Sequence, residues 1–177
     1  MGILDLLRFG SNARERAADS ADTEAVHRIA AALDALPPDR ARHLAAFAYL
    51  LSRVANADMT ISEEESRSME RIVREQGGIP EAQAALVVQI AKSQNVLFGG
   101  VDNFLVTREF ESIASREEKI ALLHCLFAVA AADRSVSSIE DGTIRKIASE
   151  LRLDHPDFIA VKTAYRDRLS VLRKPED

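Results

Sequence analysis

Apolar positions recur at three- and four-residue spacing along nearly the whole chain, and Pro, Gly and Ser stops divide them into helical segments. The first runs from about residue 23 to 36 and is halted by Pro37-Pro38, since proline cannot donate to the helix it would continue. Pro38 opens a second helix to about residue 57, in which Leu44, Ala45, Phe47, Ala48, Leu50, Leu51 and Val54 leave little polar face and predict burial all round. A third spans about 62–76 and ends at Gly77-Gly78. A fourth starts at Pro80 and runs to about 94, and Phe98-Gly-Gly100 forms a loop. A fifth covers roughly 101–114, with Ser115 capping a sixth over 116–132. That sixth helix is again apolar nearly all round, through Ile120, Leu122, Leu123, Cys125, Leu126, Phe127 and Val129. Helices over about 137–151 and 156–172 close the chain. No strand periodicity survives beside these patterns, so the fold class is all-α, a bundle of seven to eight helices.

Shifting the sequence by 75 residues superposes its halves: from Ala46 to Gln76, ten of 31 positions are identical. They include Leu51/Leu126, Val54/Val129, Asp58/Asp133, Ser62/Ser137, Glu65/Glu140 and Ile72/Ile147. With one further residue of offset, Ile79-Pro-Glu81 meets His155-Pro-Asp157. Each copy (about 40–94 and 115–172) is a buried helix, an acidic turn, an amphipathic helix and a Pro-initiated third helix. A three-helix unit this small cannot bury its apolar face alone, so the two copies are expected to pack together as one pseudo-symmetric domain over 23–177. Residues 1–22 stand apart from it as a short N-terminal helix and a polar linker. The helix carries Ile3, Leu4, Leu7 and Phe9 on one side; it is expected to fray or dock on the body, and nine residues bury little area as a membrane-surface anchor.

The acidic turns share the pattern A-D-x-[ST]-[IV]-S-x-x-E over Ala57–Glu65 and Ala132–Glu140. Ser62-x-x-Glu65 and Ser137-x-x-Glu140 are capping-box signatures, in which hydroxyl and carboxylate satisfy free N–H groups of the first helical turn. Ile61 and Val136, just before the caps, are placed for hydrophobic staples. Capping leaves Asp58 and Asp133 unexplained, because a carboxylate at the C-terminal end of a helix meets the negative end of its dipole. Glu65 and Glu140 lie on the stripe of Met69/Ile72 and Ile144/Ile147 and are expected to point inward, towards their own turns. An Asp, a Glu and free carbonyls converging there would form an oxygen site for Ca²⁺ or Mg²⁺. The turn is not an EF-hand: the twelfth positions are Met69 and Ile144, and the sixth-position Gly is missing.

Composition narrows the function classes. Asp and Glu outnumber Lys and Arg 28 to 23, for a net charge of −5, which argues against nucleic acid, whose phosphates need a basic face. Aromatics are 5% and Trp is absent, so the core is aliphatic. The lone Cys125 excludes an internal disulfide and suits a reducing, cytoplasmic compartment. No apolar run approaches the roughly 20 residues that span a bilayer, and the N-terminus lacks a secretory-signal pattern. His27, His43, His124 and His155 include no i, i+4 metal pair; His124, beside Cys125, is expected to be a satisfied core residue. No phosphate-binding Gly loop or nucleophile elbow is present, and the sequence carries no enzyme signature.

At the turns the chain resembles the TerB (tellurite resistance) family, whose members carry Ala-Asp-Gly, a β-branched residue and a helix with Glu in its first turn. The second copy is especially similar: Ala131-Ala-Asp133, Ser135-Val-Ser137, Glu140-Asp-Gly142, Ile144-Arg-Lys-Ile147 and Asp154-His-Pro-Asp-Phe158. The resemblance covers about 23–172. It implies an all-helical bundle, association with tellurite resistance and chemical stress, and divalent-cation binding by acidic clusters. The Gly after each Asp is replaced here by Met59 and Arg134, and Arg134 can pair with Asp133 or Glu140 itself. Two expectations follow: a non-enzymatic binding module that engages a divalent cation or a protein partner through its turns, or a ligand-free scaffold or interaction bundle whose turns are caps only.

Overall fold

The computed structural model describes residues 20–55, 61–93, 97, 103–132 and 136–168. Among them are the helices α1 (Ser20–Asp34), α2 (Pro38–Ala55), α3 (Glu63–Glu75), α4 (Glu81–Lys92), α5 (Asn103–Ile113), α6 (Arg116–Ala131), α7 (Ser138–Glu150) and α8 (His155–Ala164), with a 3₁₀ turn at Arg166–Arg168. No described segment forms a multi-residue strand, so the all-α class stands. α1 begins three residues earlier than the periodicity predicts, at Ser20.

α2 is the hub. Ala41, His43 through Ser52, and Val54 are all buried, because α1, α4, α5, α6 and α7 all pack around it. Its counterpart α6 packs on α2, α3, α7 and α8. The duplication is visible in three dimensions: α3 of the first copy lies on α6 of the second, and α7 of the second lies on α2 of the first. His43 and Glu118, which are equivalent under the 75-residue shift, meet with Nδ1 and Oε1 3.9 Å apart. A position that contacts its own equivalent lies on the pseudo-two-fold axis, as it would in an isologous dimer. The aliphatic core is continuous across that axis, from Leu44, Leu50, Leu51 and Val73 to Leu122, Leu126, Ile144 and Ile147.

The helix ends follow local chemistry. Gly78 takes a left-handed φ of 62° after α3, as a residue without Cβ does readily. After α7 the same role falls to Arg152 at φ 57°, held by Leu153 N–H to the Ala148 carbonyl at 3.1 Å. α8 stops at Ala164, well short of the expected residue 172. Tyr165 leaves the helix to stack on Phe127 at 5.5 Å, and its hydroxyl donates to the His124 carbonyl at 2.9 Å. That tertiary attachment, invisible to local periodicity, ends the helix; residues beyond Arg168 lie outside the described set. α8 is capped by Asp154, which accepts from Asp157 N–H at 2.9 Å, so His155 is the first helical residue, one before the expected start at 156.

Candidate functional site

The two turns deliver their serines and glutamates as matched pairs. Ser62 Oγ accepts from Glu65 N–H at 3.2 Å, and Glu65 Oε2 accepts from Ser62 N–H at 2.6 Å. In the second copy, Ser137 Oγ accepts from Glu140 N–H at 3.2 Å and Glu140 Oε2 from Ser137 N–H at 2.7 Å. Both are complete capping boxes. A third, with the same Ser-x-x-Glu signature, opens α6: Ser115 N–H donates to Glu118 Oε2 at 2.8 Å. The backbone N–H of Ser62, seconded by its hydroxyl, stabilises the charged form of Glu65 and lowers its carboxyl below the usual range.

This geometry corrects the expected orientation of the glutamates. Glu65 is exposed and Glu140 half-buried; neither carboxylate points into the core. At the third helical position the side chain swings back along the axis to the cap, and that bond outweighs the apolar stripe on which the residue formally lies. The staple is also corrected. The positions that would clasp Ile61 and Val136 are Ser66 and Asp141, so Val136 instead drops into the core, 1% exposed, and Ile61 packs at its edge. Ser66 is buried and donates to the Ser62 carbonyl at 2.8 Å. Asp141 receives Lys162 Nζ at 2.7 Å and Arg145 at 3.8 Å, and both cations also approach the Phe158 ring.

Asp58 and Asp133 lie outside the described residues, as do Met59 and Arg134. Among the described residues no cluster of three or more His, Cys, Asp or Glu side chains is placed to hold a metal ion.

His124 departs from expectation in another way. It is half-buried rather than enclosed in the core, with Nδ1 3.4 Å from the Tyr165 hydroxyl, and partial burial lowers its pKa. Cys125, its neighbour in sequence, points to a different side of α6: it is fully buried, contacts the Ile72 carbonyl at 3.7 Å, and burial pushes its thiol up to about 12. Adjacent helical side chains diverge, and here they do. A cleft of about 330 Å³ between α1 and α4 is lined by Ala25, Arg28, Ile29, Gln89, Lys92 and Ser93. Its two cations already face carboxylates, Arg28 that of Glu24 at 3.8 Å and Lys92 that of Glu63 at 3.3 Å.

Sequence reasoning missed a set of polar ties that bolt α2 to the connector helix α5 and, through Arg53, to α7. Arg42 donates to Glu109 Oε1 at 2.9 Å, the Tyr49 hydroxyl to Asn103 Oδ1, and Arg53 to Thr107 Oγ1 at 3.0 Å and Glu150 Oε2 at 2.9 Å. Arg42, Tyr49 and Arg53 lie at i, i+7 and i+11, one face of α2, and that spacing was the only signal available in the sequence.

A bundle built from a duplicated three-helix unit, with paired Ser/Glu-capped acidic turns and no strand among its described residues, defines a class of all-helical domains. The family model described as tellurite resistance protein TerB matches residues 43–163, more than half of the chain, and the chain belongs to that family. No curated protein and no solved structure matches it. Among the described residues no helix is long and apolar enough to cross a membrane.

Proposed function

We propose that this chain is a non-enzymatic interaction module of the TerB type, serving tellurite and chemical-stress resistance in the cytoplasm by engaging a protein partner. One observation carries this. The glutamates that the turn motif repeats, Glu65 and Glu140, are engaged in closing their own helices, which leaves the helical surface as the working part. The acidic surface balance and the single buried thiol suit a soluble protein of a reducing compartment. Affinity capture of the tagged chain from its native cells, with and without tellurite, is expected to recover a stoichiometric protein partner. Recovery of the chain alone under both conditions would overturn the proposal.

The second reading, a divalent-cation site for Ca²⁺ or Mg²⁺ in the turns, rests on the repeated Asp58 and Asp133, whose carboxylates the capping boxes do not use. It is tested by melting wild type and an Asp58→Asn/Asp133→Asn double variant across Ca²⁺, Mg²⁺ and Mn²⁺ concentrations. A ligand-linked rise in Tm that the double variant lacks would establish it. Identical curves at every concentration would remove it.

A further inference from the structure

The 75-residue shift equates the α2 face that holds α5 with a face of α6. On α2 that face is Arg42, Ala45, Ala46, Tyr49 and Arg53; on α6 it is Glu117, Ile120, Ala121, His124 and Ala128. Both sets follow i, i+3, i+4, i+7, i+11, a single stripe along a helix. Their environments differ sharply. Ala45 and Ala46 are 0% exposed and Tyr49 is 2% exposed beneath α5, whereas Ile120, Ala121, His124 and Ala128 are only half-buried and Glu117 is exposed. The α6 stripe has walls. On one side Tyr165 stands against His124, and on the other α3 packs at Cys125 through Ile72. In the first copy the corresponding trough is filled by α5.

We infer that the α6 stripe is a docking groove for an amphipathic helix of a partner protein that carries a lysine or arginine opposite Glu117. This deepens the interaction-module proposal and rests on it. The internal precedent fixes the kind of occupant: α5 presents Val106, Thr107 and Phe110 inward along eleven residues, and the equivalent stripe on α6 is shorter at two places, His124 for Tyr49 and Ala128 for Arg53, with Ile120 standing where α2 has Ala45. Ala121 and Ala128 let a helix backbone approach closely, and Ile120 supplies apolar contact. Charge fixes the partner's chemistry. Arg42 is met by Glu109 of α5. Its equivalent is Glu117, so the complementary residue inverts from acid to base.

The test uses a stapled helical peptide of residues 103–113 as probe, in its parent form and as the E109K form, against the full chain. Fluorescence anisotropy gives the affinity, and amide chemical shifts map the site. The E109K peptide is expected to bind at Ile120, Ala121, His124 and Ala128 and to outcompete the parent. In an E117K chain the preference should reverse, each swap changing affinity about fivefold. Melting of the E117K chain checks that its fold is intact. Failure of the E109K peptide to bind, or binding that E117K leaves unmoved, overturns the inference. So does a concentration-dependent dimer that E117K dissolves, which would assign the face to a second copy. So does binding that appears only after truncation at Arg168, which would assign it to the chain's own following residues. A cellular partner captured equally by wild type and E117K sinks this groove while leaving the interaction-module proposal standing.

Discussion

Replacing Arg53 with methionine tests whether the polar ties around α5 hold the bundle or merely decorate it. Arg53 and Glu150 are 11% and 16% exposed at their side chains, and the guanidinium also serves Thr107. Arg53→Met keeps the stem's packing volume but removes a charge-assisted bond of about 1.5–3 kcal/mol. It also strands a largely desolvated carboxylate at the junction of α2, α5 and α7. Breaking a fully buried pair costs about 3–5 kcal/mol; with some water reaching Glu150, about 3 kcal/mol is the expected loss. For a chain of this size that lowers Tm by about 6–12 °C. The Arg53→Met/Glu150→Leu double variant removes the stranded charge as well and should recover most of the loss, because an ion pair and its apolar isostere are often near equal in stability. Urea unfolding of wild type, both single variants and the double variant closes the cycle. A double variant as unstable as the sum of the singles would refute the reasoning, since the cost would then lie in packing and not in an unpaired charge.

Gly77→Ala should destabilise by about 2–3 kcal/mol, because a Cβ there would stand 2.5 Å from the Val73 carbonyl oxygen and 3.2 Å from Cys125 Sγ; an unchanged urea midpoint would contradict the crowding. Cys125, with its thiol raised to about 12 and no exposure, should react with a thiol reagent at the rate of unfolding; rapid labelling of the native protein would show that its helix opens locally. Burial lowers the pKa of His43 and outweighs the pull of Glu118, while Arg40 lowers it further. The unfolded chain therefore takes up a proton first, near pH 6.5, and this contribution to stability, present above that pH, is lost as pH falls through the lower folded value. His43→Gln should flatten the decline in urea midpoint between pH 7 and 5, and an undiminished slope would place the titration elsewhere.

What the sequence made legible is what short-range chemistry decides. Pro37-Pro38, Gly77-Gly78 and the Ser-x-x-Glu signatures act within four residues, and they marked the helix ends that the structure shows. The repeat was legible because a shift comparison sums many weak identities. The ties of Arg42 to Glu109 and Arg53 to Glu150 were not, since their partners are 67 and 97 residues apart and no local pattern names them. The end of α8 was missed for the same reason: Tyr165 is drawn off by Phe127 and His124. The direction of Glu65 was missed because two local rules competed, the apolar stripe and the cap, and the cap's charged hydrogen bonds are the stronger.

The unequal faces of α2 and α6 follow from connectivity before any divergence of sequence. Two copies related by a pseudo-two-fold axis create two equivalent grooves, but a single chain joining them in series has one connector between them. α5, running from the first copy to the second, can fill one groove only, and it takes the one on α2. Once that choice is made, the two stripes face different demands. The covered stripe carries Arg42, Tyr49 and Arg53, each matched to a polar group of α5. The half-exposed stripe carries Glu117, His124 and Ala128 at the same positions, residues that could not replace that set without leaving Glu109 facing an acid. Duplication thus supplies both a groove whose occupant is built in and a twin whose floor, with Glu117 in the place of Arg42, favours a helix of inverted charge at that point.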